Sequence, residues 1–353
     1  MILSIFSLFG ISVNEEKDVQ NVILLIGDGM GVMTLEKTKQ ERGISLAMET
    51  MEQQGFCMTR SASDEVTDSA AGATALACGV KTSNGSVGYY WFDDPSADWT
   101  EGTYPKNITE ACMEYGMKTG IVTTDYTSGA TPSGFSVHTS SRNNTEDIYA
   151  QQLESGIDLI WGRSQSKYIS KSDITSAGYT YVNTISAMNS VSSGEKSFGQ
   201  FSASLYHTYN KTDYTPTLSQ MTESAIEILS GSDEGFFLMV EGAHIDKKAA
   251  DNEDSLTTEA VEEFDNAVAK ALEFAEKDGH TLVIVTADHE TGGITLNEDG
   301  TYSFTTTSHT AANVPVFAYG PYEFISDGEI IDNTDVPKRI AEALGISDFP
   351  AEA

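Results

Sequence analysis

The chain is poor in the residues that mark several common functions. It has only three cysteines in 353 residues, Cys57, Cys78 and Cys112, and none sits in a CxxC pair. An odd count leaves at least one thiol unpaired, so neither a disulfide framework nor a thiolate zinc site is expected. Basic residues are scarce: 20 Lys and Arg stand against 53 Asp and Glu, a formal net charge of -33. Neutralising nucleic-acid phosphates needs clustered Lys and Arg, so no nucleic-acid-binding surface is expected. The excess acid reads as a solvated coat, for which salt adaptation is one cause.

Long apolar runs are lacking too. The amino-terminal stretch MILSIFSLFGISV is too short to span a bilayer and turns polar at NEEKD, so no membrane span is expected. Residues 1–20 read as a signal or export remnant, or as an N-terminal extension, although a positive leading segment and an evident small-residue cleavage site are missing. The export reading gives a periplasmic or secreted protein. There is no internal repeat, no low-complexity tract and no GxSxG elbow, so a Ser-His-Asp triad is not expected.

What is present is a rhythm of short apolar runs, at Val22–Ile26, Thr119–Thr123, 235–240, Thr281–Thr286 and Val314–Tyr319. They are continuous rather than alternating, as in strands buried on both faces. Helical patterns at Asn107–Tyr115, Met221–Leu229 and Thr258–Lys277 separate them. This order predicts an α/β fold, a three-layer α/β/α sandwich around a large, mainly parallel sheet. Residues 89–105 read as a surface excursion, and 164–216 as an inserted subregion of short strands and loops. Ligands of such folds collect beyond the carboxyl ends of the strands.

Chemistry-bearing residues stand at those ends. Asp28 lies between two glycines in GDG, where the backbone can approach a cation or phosphate closely. Ser69 heads the small-residue helix of VTDSAAGATALACG; alone it would be a plain N-cap serine, but a helix start also suits a serine that becomes phosphorylated. Asp288 and His289 follow a strand in TADHETGG and offer the oxygen and nitrogen that zinc accepts. Glu241 and Asp246 flank a turn in EGAHID. Arg142, expected on a helix after the Thr119–Thr123 strand, can grip two phosphoryl oxygens at once and keeps its charge.

With these residues in place, the chain resembles the bacterial alkaline phosphatases, a family of two-zinc, one-magnesium phosphomonoesterases. The resemblance runs from about Asn21 to Gly345. It is carried, in the family's order, by GDG, VTDSAAGATALACGVKT, ATPSGFSVHTSSR, MTESAIEIL, EGAHIDK, VTADHETGG and SHTAANVPVFAYGP. It implies a catalytic domain over 21–350, small phosphomonoester substrates, zinc and magnesium as cofactors, and a homodimer. Ser69 would be the phosphorylated nucleophile, and Arg142 would bind phosphate with Asp68 orienting it. Asp28, Asp288 and His289 would hold the zinc that activates Ser69, with Asp246 and His309 on the leaving-group zinc. Asp28, Thr131 and Glu241 would hold magnesium.

Two departures from the family pattern stand out. The family has a histidine four residues after the aspartate matching Asp246, where this chain has Ala250. It has Asp or His two residues before the threonine matching Thr131, where this chain has Gly129. Asp251, one residue off, is the alternative ligand for the weakened zinc site. The direction of His244 is open at this level, and His138 matches a structural position. The alternative function is a weakly active or inactive phosphate- or metal-binding descendant.

Overall fold

The apolar runs become neighbouring strands of one sheet. The computed structural model describes residues 19–91, 100–202 and 215–353. The apolar amino-terminal stretch, the centre of the 89–105 excursion and part of 164–216 fall outside the described residues. The strands of the main sheet are β1 (Asn21–Gly27), β2 (Gln53–Met58), β3 (Lys118–Tyr126), β4 (Leu159–Arg163), β5 (Thr180–Val182), β6 (Ser197–Phe201), β7 (Phe236–Gly242) and β8 (Thr281–Thr286), with β13 (Val314–Tyr319) and β14 (Ile330–Asp332). Between β8 and β13 lie four two-residue strands, β9 (Glu290–Thr291), β10 (Thr295–Leu296), β11 (Tyr302–Ser303) and β12 (His309–Thr310). The sheet order is β14-β2-β13-β8-β1-β7-β3-β4-β6-β5. Strand β13 runs antiparallel to both β2 and β8, and the other pairings in the sheet are parallel.

The central strands are apolar because both of their faces are covered. Every residue of β1, β7 and β8 is buried. Helices Leu218–Leu229 and Asp254–Asp278 pack on each other and reach β3, β7 and β8. A second set, Ser69–Cys78, Ile108–Glu114, Ala130–Gly134 and Asp335–Ala343, packs together and reaches β3 and β7. That is the expected three-layer arrangement. The sheet is wider than the continuous runs indicate. Strand β2, between β14 and β13, alternates buried and exposed positions over its second half, so its apolar signal is weak. Strands β5 and β6 come from the 164–216 subregion and extend the sheet beyond β4. No helix among the described residues is long and apolar enough to cross a membrane.

The register explains why the site forms where it does. Ile26 of β1 lies level with Glu241 of β7 and Thr286 of β8, and Thr123 of β3 is level with Glu241. Asp28 and Asp288 therefore leave their strands at the same height, two residues beyond the paired positions, above the middle of the sheet.

Candidate active site

The helix carrying Ser69 is built to sit close to those strand ends. All ten residues of Ser69–Cys78 are buried, and nearly all are small. A Cβ on Gly72 would come within 2.9 Å of the Asp288 carbonyl oxygen, so glycine permits the close approach of helix and strand end. Asp68 caps the helix, its Oδ1 accepting from the Ala71 N–H at 3.0 Å. Its Oδ2 accepts from the Gly85 N–H at 3.1 Å and from Arg142 Nη1 at 3.0 Å. Arg142 lies in a turn before the helix Thr145–Glu154, not within a helix as its sequence context predicts, and its side chain is 36% exposed. The turn gives the guanidinium the reach to meet Asp68, and it keeps donors free on the solvent side.

Ser69 Oγ lies 3.1 Å from His289 Nε2. The same nitrogen is 3.3 Å from Asp288 Oδ2 and 3.4 Å from Asp28 Oδ1. Gly29, with φ +76°, lets the chain turn after Asp28; its N–H donates to Asp288 Oδ1 at 3.2 Å, and a Cβ there would strike the Asp246 backbone. A second group joins Asp246, His289 and His309, and each of the two groups could hold a cation between its ligand atoms. His309 Nε2 is 3.4 Å from Asp246 Oδ1, and the rings of His289 and His309 stack at 3.5 Å. Strand β12 places His309 there by pairing antiparallel with β9, so that His309 stands opposite Thr291.

The far side of each imidazole is held as well. His309 Nδ1 bonds the Thr67 carbonyl at 2.9 Å, and His289 Nδ1 meets Thr291 Oγ1 at 3.2 Å. Thr291 also donates to Asp246 Oδ1 at 2.6 Å, tying one ligand group to the other. Such outer contacts orient metal-binding histidines. Thr67 and Thr291 were not singled out in the sequence, where a threonine beside an Asp-His pair carries no distinctive signal.

The electrostatics suit cations. Burial, and then the charges of Asp288, Asp246 and Glu241, hold the Asp28 carboxyl well above the usual range. Burial and the Asp125 carboxylate push Glu241 up to about 8. Burial keeps His289 below its ordinary value, which favours the neutral ring that coordinates metals. Asp28 Oδ1, Asp288 Oδ2 and Thr131 Oγ1 are buried without a hydrogen-bond partner. Carboxylates with imidazole match zinc, and the all-oxygen set of Asp28, Thr131 and Glu241 matches magnesium.

Several known proteins similar to this chain share one name. The alkaline phosphatase family profile matches residues 19–173 and 162–308. Alkaline phosphatase 3 of Bacillus subtilis is 34% identical over 91% of this chain and 71% of its own length. Alkaline phosphatase of Escherichia coli is 30% identical over 94% of the chain and 87% of its own length. The chain belongs to the alkaline phosphatase family. Its class, phosphomonoester hydrolase, follows from that membership. The solved alkaline phosphatase of the Antarctic bacterium TAB5 has the same fold, with a TM-score of 0.78 at 32% identity over 93% of this chain and 98% of that one.

Against the family pattern, Ala250 lines a cavity of about 390 Å³ together with Val66, Thr67, Asp68, Asn84 and His309. Asp251 does not face this cavity; its side chain is 59% exposed and lies 3.9 Å from Lys248 Nζ. His244 opens the helix His244–Ala250 and belongs to neither ligand group among the described residues. His138 is held by Glu110 at 2.9 Å and by the Gly88 carbonyl at 2.6 Å.

Proposed function

We propose that this alkaline phosphatase cleaves phosphomonoesters through a phosphoserine on Ser69, at two zinc sites and one magnesium site. The observation that carries the reading is the Ser69 Oγ to His289 Nε2 contact, at a helix start and at the edge of the Asp28, Asp288 and His289 group. Asp28, Asp288 and His289 would hold the zinc beside Ser69, and Asp246 and His309 the zinc on the leaving-group side. Asp28, Thr131 and Glu241 would hold magnesium. When bound, these cations lower the barrier by favouring the serine alkoxide and neutralising charge on the leaving oxygen.

The chain's own residues do the rest. Ser69 Oγ attacks phosphorus in line with the leaving alcohol; the new P–O bond forms as the ester P–O bond breaks. Arg142, with one edge of its guanidinium on Asp68, turns its remaining N–H donors to the non-bridging oxygens. Water then displaces Ser69 from phosphorus and releases inorganic phosphate. The cavity beside Ala250 and His309 is where the alcohol portion leaves.

A specific observation favours a weaker activity as the second reading: the leaving-group zinc lacks an imidazole at Ala250, and the exposed Asp251 does not supply a ligand in its place. Turnover of p-nitrophenyl phosphate with added zinc and magnesium, compared with a phosphodiester and a sulfate ester, tests both. Rapid monoester turnover with a radiolabelled phosphate trapped on Ser69 supports the first reading. Zinc binding without turnover supports the second.

A further inference from the structure

The family carries Asp or His where this chain has Gly129, and the space beside Gly129 is already filled. A Cβ built on Gly129 would stand 3.0 Å from Asp125 Oδ2 and 3.4 Å from its Cγ. The Asp125 carboxylate, together with the Tyr126 carbonyl oxygen at 3.0 Å, thus crowds the space that a side chain at 129 would enter. It arrives from the end of β3, where the register against β4 shifts between Val122 and Tyr126. An irregularity of this kind re-aims the side chains around it.

The contacts of Asp125 lead toward the proposed magnesium ligands. Its Oδ2 is 2.6 Å from Nζ of Lys247, the residue after Asp246. Its backbone N–H donates to Thr123 Oγ1 at 2.8 Å, and the Thr123 hydroxyl donates in turn to Glu241 Oε2. Lys247 is also under the influence of Glu241 and Asp28. One residue therefore touches the Lys247 ammonium directly and, through the Thr123 hydroxyl, reaches the Glu241 carboxylate.

We propose that Asp125 is a positioning residue of the magnesium site, a carboxylate that takes over from another point in the chain the place left by glycine at 129. Its carboxylate fixes Lys247, which would otherwise be free to swing toward Asp28 and Glu241, whereas its backbone N–H holds Thr123 against Glu241, a link that side-chain variants at 125 leave in place. The inference rests on the reading that Asp28, Thr131 and Glu241 hold magnesium.

The test is magnesium titration calorimetry on zinc-loaded protein, with the magnesium-induced rise in melting temperature as a second readout. Asp125→Ala should weaken magnesium binding by about 10- to 100-fold, the usual cost of losing an outer contact to a metal ligand, with zinc content unchanged. Asp125→Asn, which keeps the shape and loses the charge, should weaken it in the same direction and serves if the alanine variant does not fold. Gly129→Asp alone should also weaken binding, because its side chain meets Asp125. The double variant Asp125→Ala with Gly129→Asp should regain most of the lost affinity, which a merely structural role would not produce. If Asp125→Ala and Asp125→Asn bind magnesium as tightly as the unaltered protein, or if the double variant is no better than Asp125→Ala, the inference is wrong. If the unaltered zinc-loaded protein binds no magnesium, the reading of the site itself fails, and this inference with it.

Discussion

Thr291 Oγ1 stands between Asp246 Oδ1, 2.6 Å away, and His289 Nδ1, 3.2 Å away. One hydroxyl thereby couples Asp246, proposed as a ligand on the leaving-group side, to the imidazole whose other nitrogen meets Ser69. The two halves of the site are built as one unit.

Ser69→Ala should abolish phosphoenzyme formation and lower turnover by several orders of magnitude. The serine is buried at the start of a helix of small residues, so losing one hydroxyl leaves the packing intact and the melting temperature close to that of the unaltered protein. Acid-quenched samples incubated with radiolabelled phosphate should carry label on Ser69 and lose it in the variant. Label on another residue would remove the serine mechanism.

Arg142→Ala should weaken inhibition by inorganic phosphate and raise KM. Hydrogen bonds to a charged group contribute about 1.5–3 kcal/mol, or roughly ten- to a hundredfold in affinity. The effect should be smaller than that of Ser69→Ala, because bound cations would still hold the phosphoryl group. Asp68→Asn should move the same quantity in the same direction by loosening Arg142, and an unchanged phosphate inhibition constant in both variants would place the pair outside the site.

Ala250→His should tighten zinc retention. Asp246 and Ala250 lie four residues apart on the helix His244–Ala250, hence on one face, and Ala250 lines the same cavity as His309. Elemental analysis after graded chelator treatment should show the second zinc lost from the unaltered protein first and retained longer in the variant, with higher turnover without added metal. Asp251→Ala should change neither, because that carboxylate faces solvent and Lys248. Loss of zinc in Asp251→Ala would reassign the ligand.

His138 should make stability depend on pH below the alkaline range. Burial opposes its charge, but the Glu110 carboxylate outweighs burial and raises the imidazole above its ordinary value. A raised folded-state value contributes stability fully below the unfolded value, about 6.5, and loses it as pH rises through the folded value. His138→Gln should therefore lower the melting temperature more at about pH 5.5, where the ring is charged in the folded state, than at about pH 9, toward which that contribution declines. An equal loss at both pH values would leave packing as the only role of His138.

Much of this protein was legible in its sequence. The runs of β1, β3, β7, β8 and β13 announce strands because residues buried on both faces must be apolar over their whole length, a local property that needs no partner to be read. The carboxylates and imidazole that end them stand where such strands present ligands. The family resemblance assigned the motifs among them, and the family itself is now established.

Other features are decided only by contacts between distant segments. Strand order brings β8, β1, β7 and β3 side by side, and no local pattern encodes that order. The β9–β12 pairing carries His309 to His289, and the Asp68–Arg142 bond joins residues 74 positions apart. Strand β2 went unread because exposed residues alternate with buried ones and dilute its apolar pattern. Most telling is position 129: the sequence shows a missing side chain, whereas the fold shows another residue's carboxylate standing in its space. Composition and periodicity determine which segments are buried and where they end. Which side chains then share a volume depends on how the chain closes on itself, and that is settled in three dimensions.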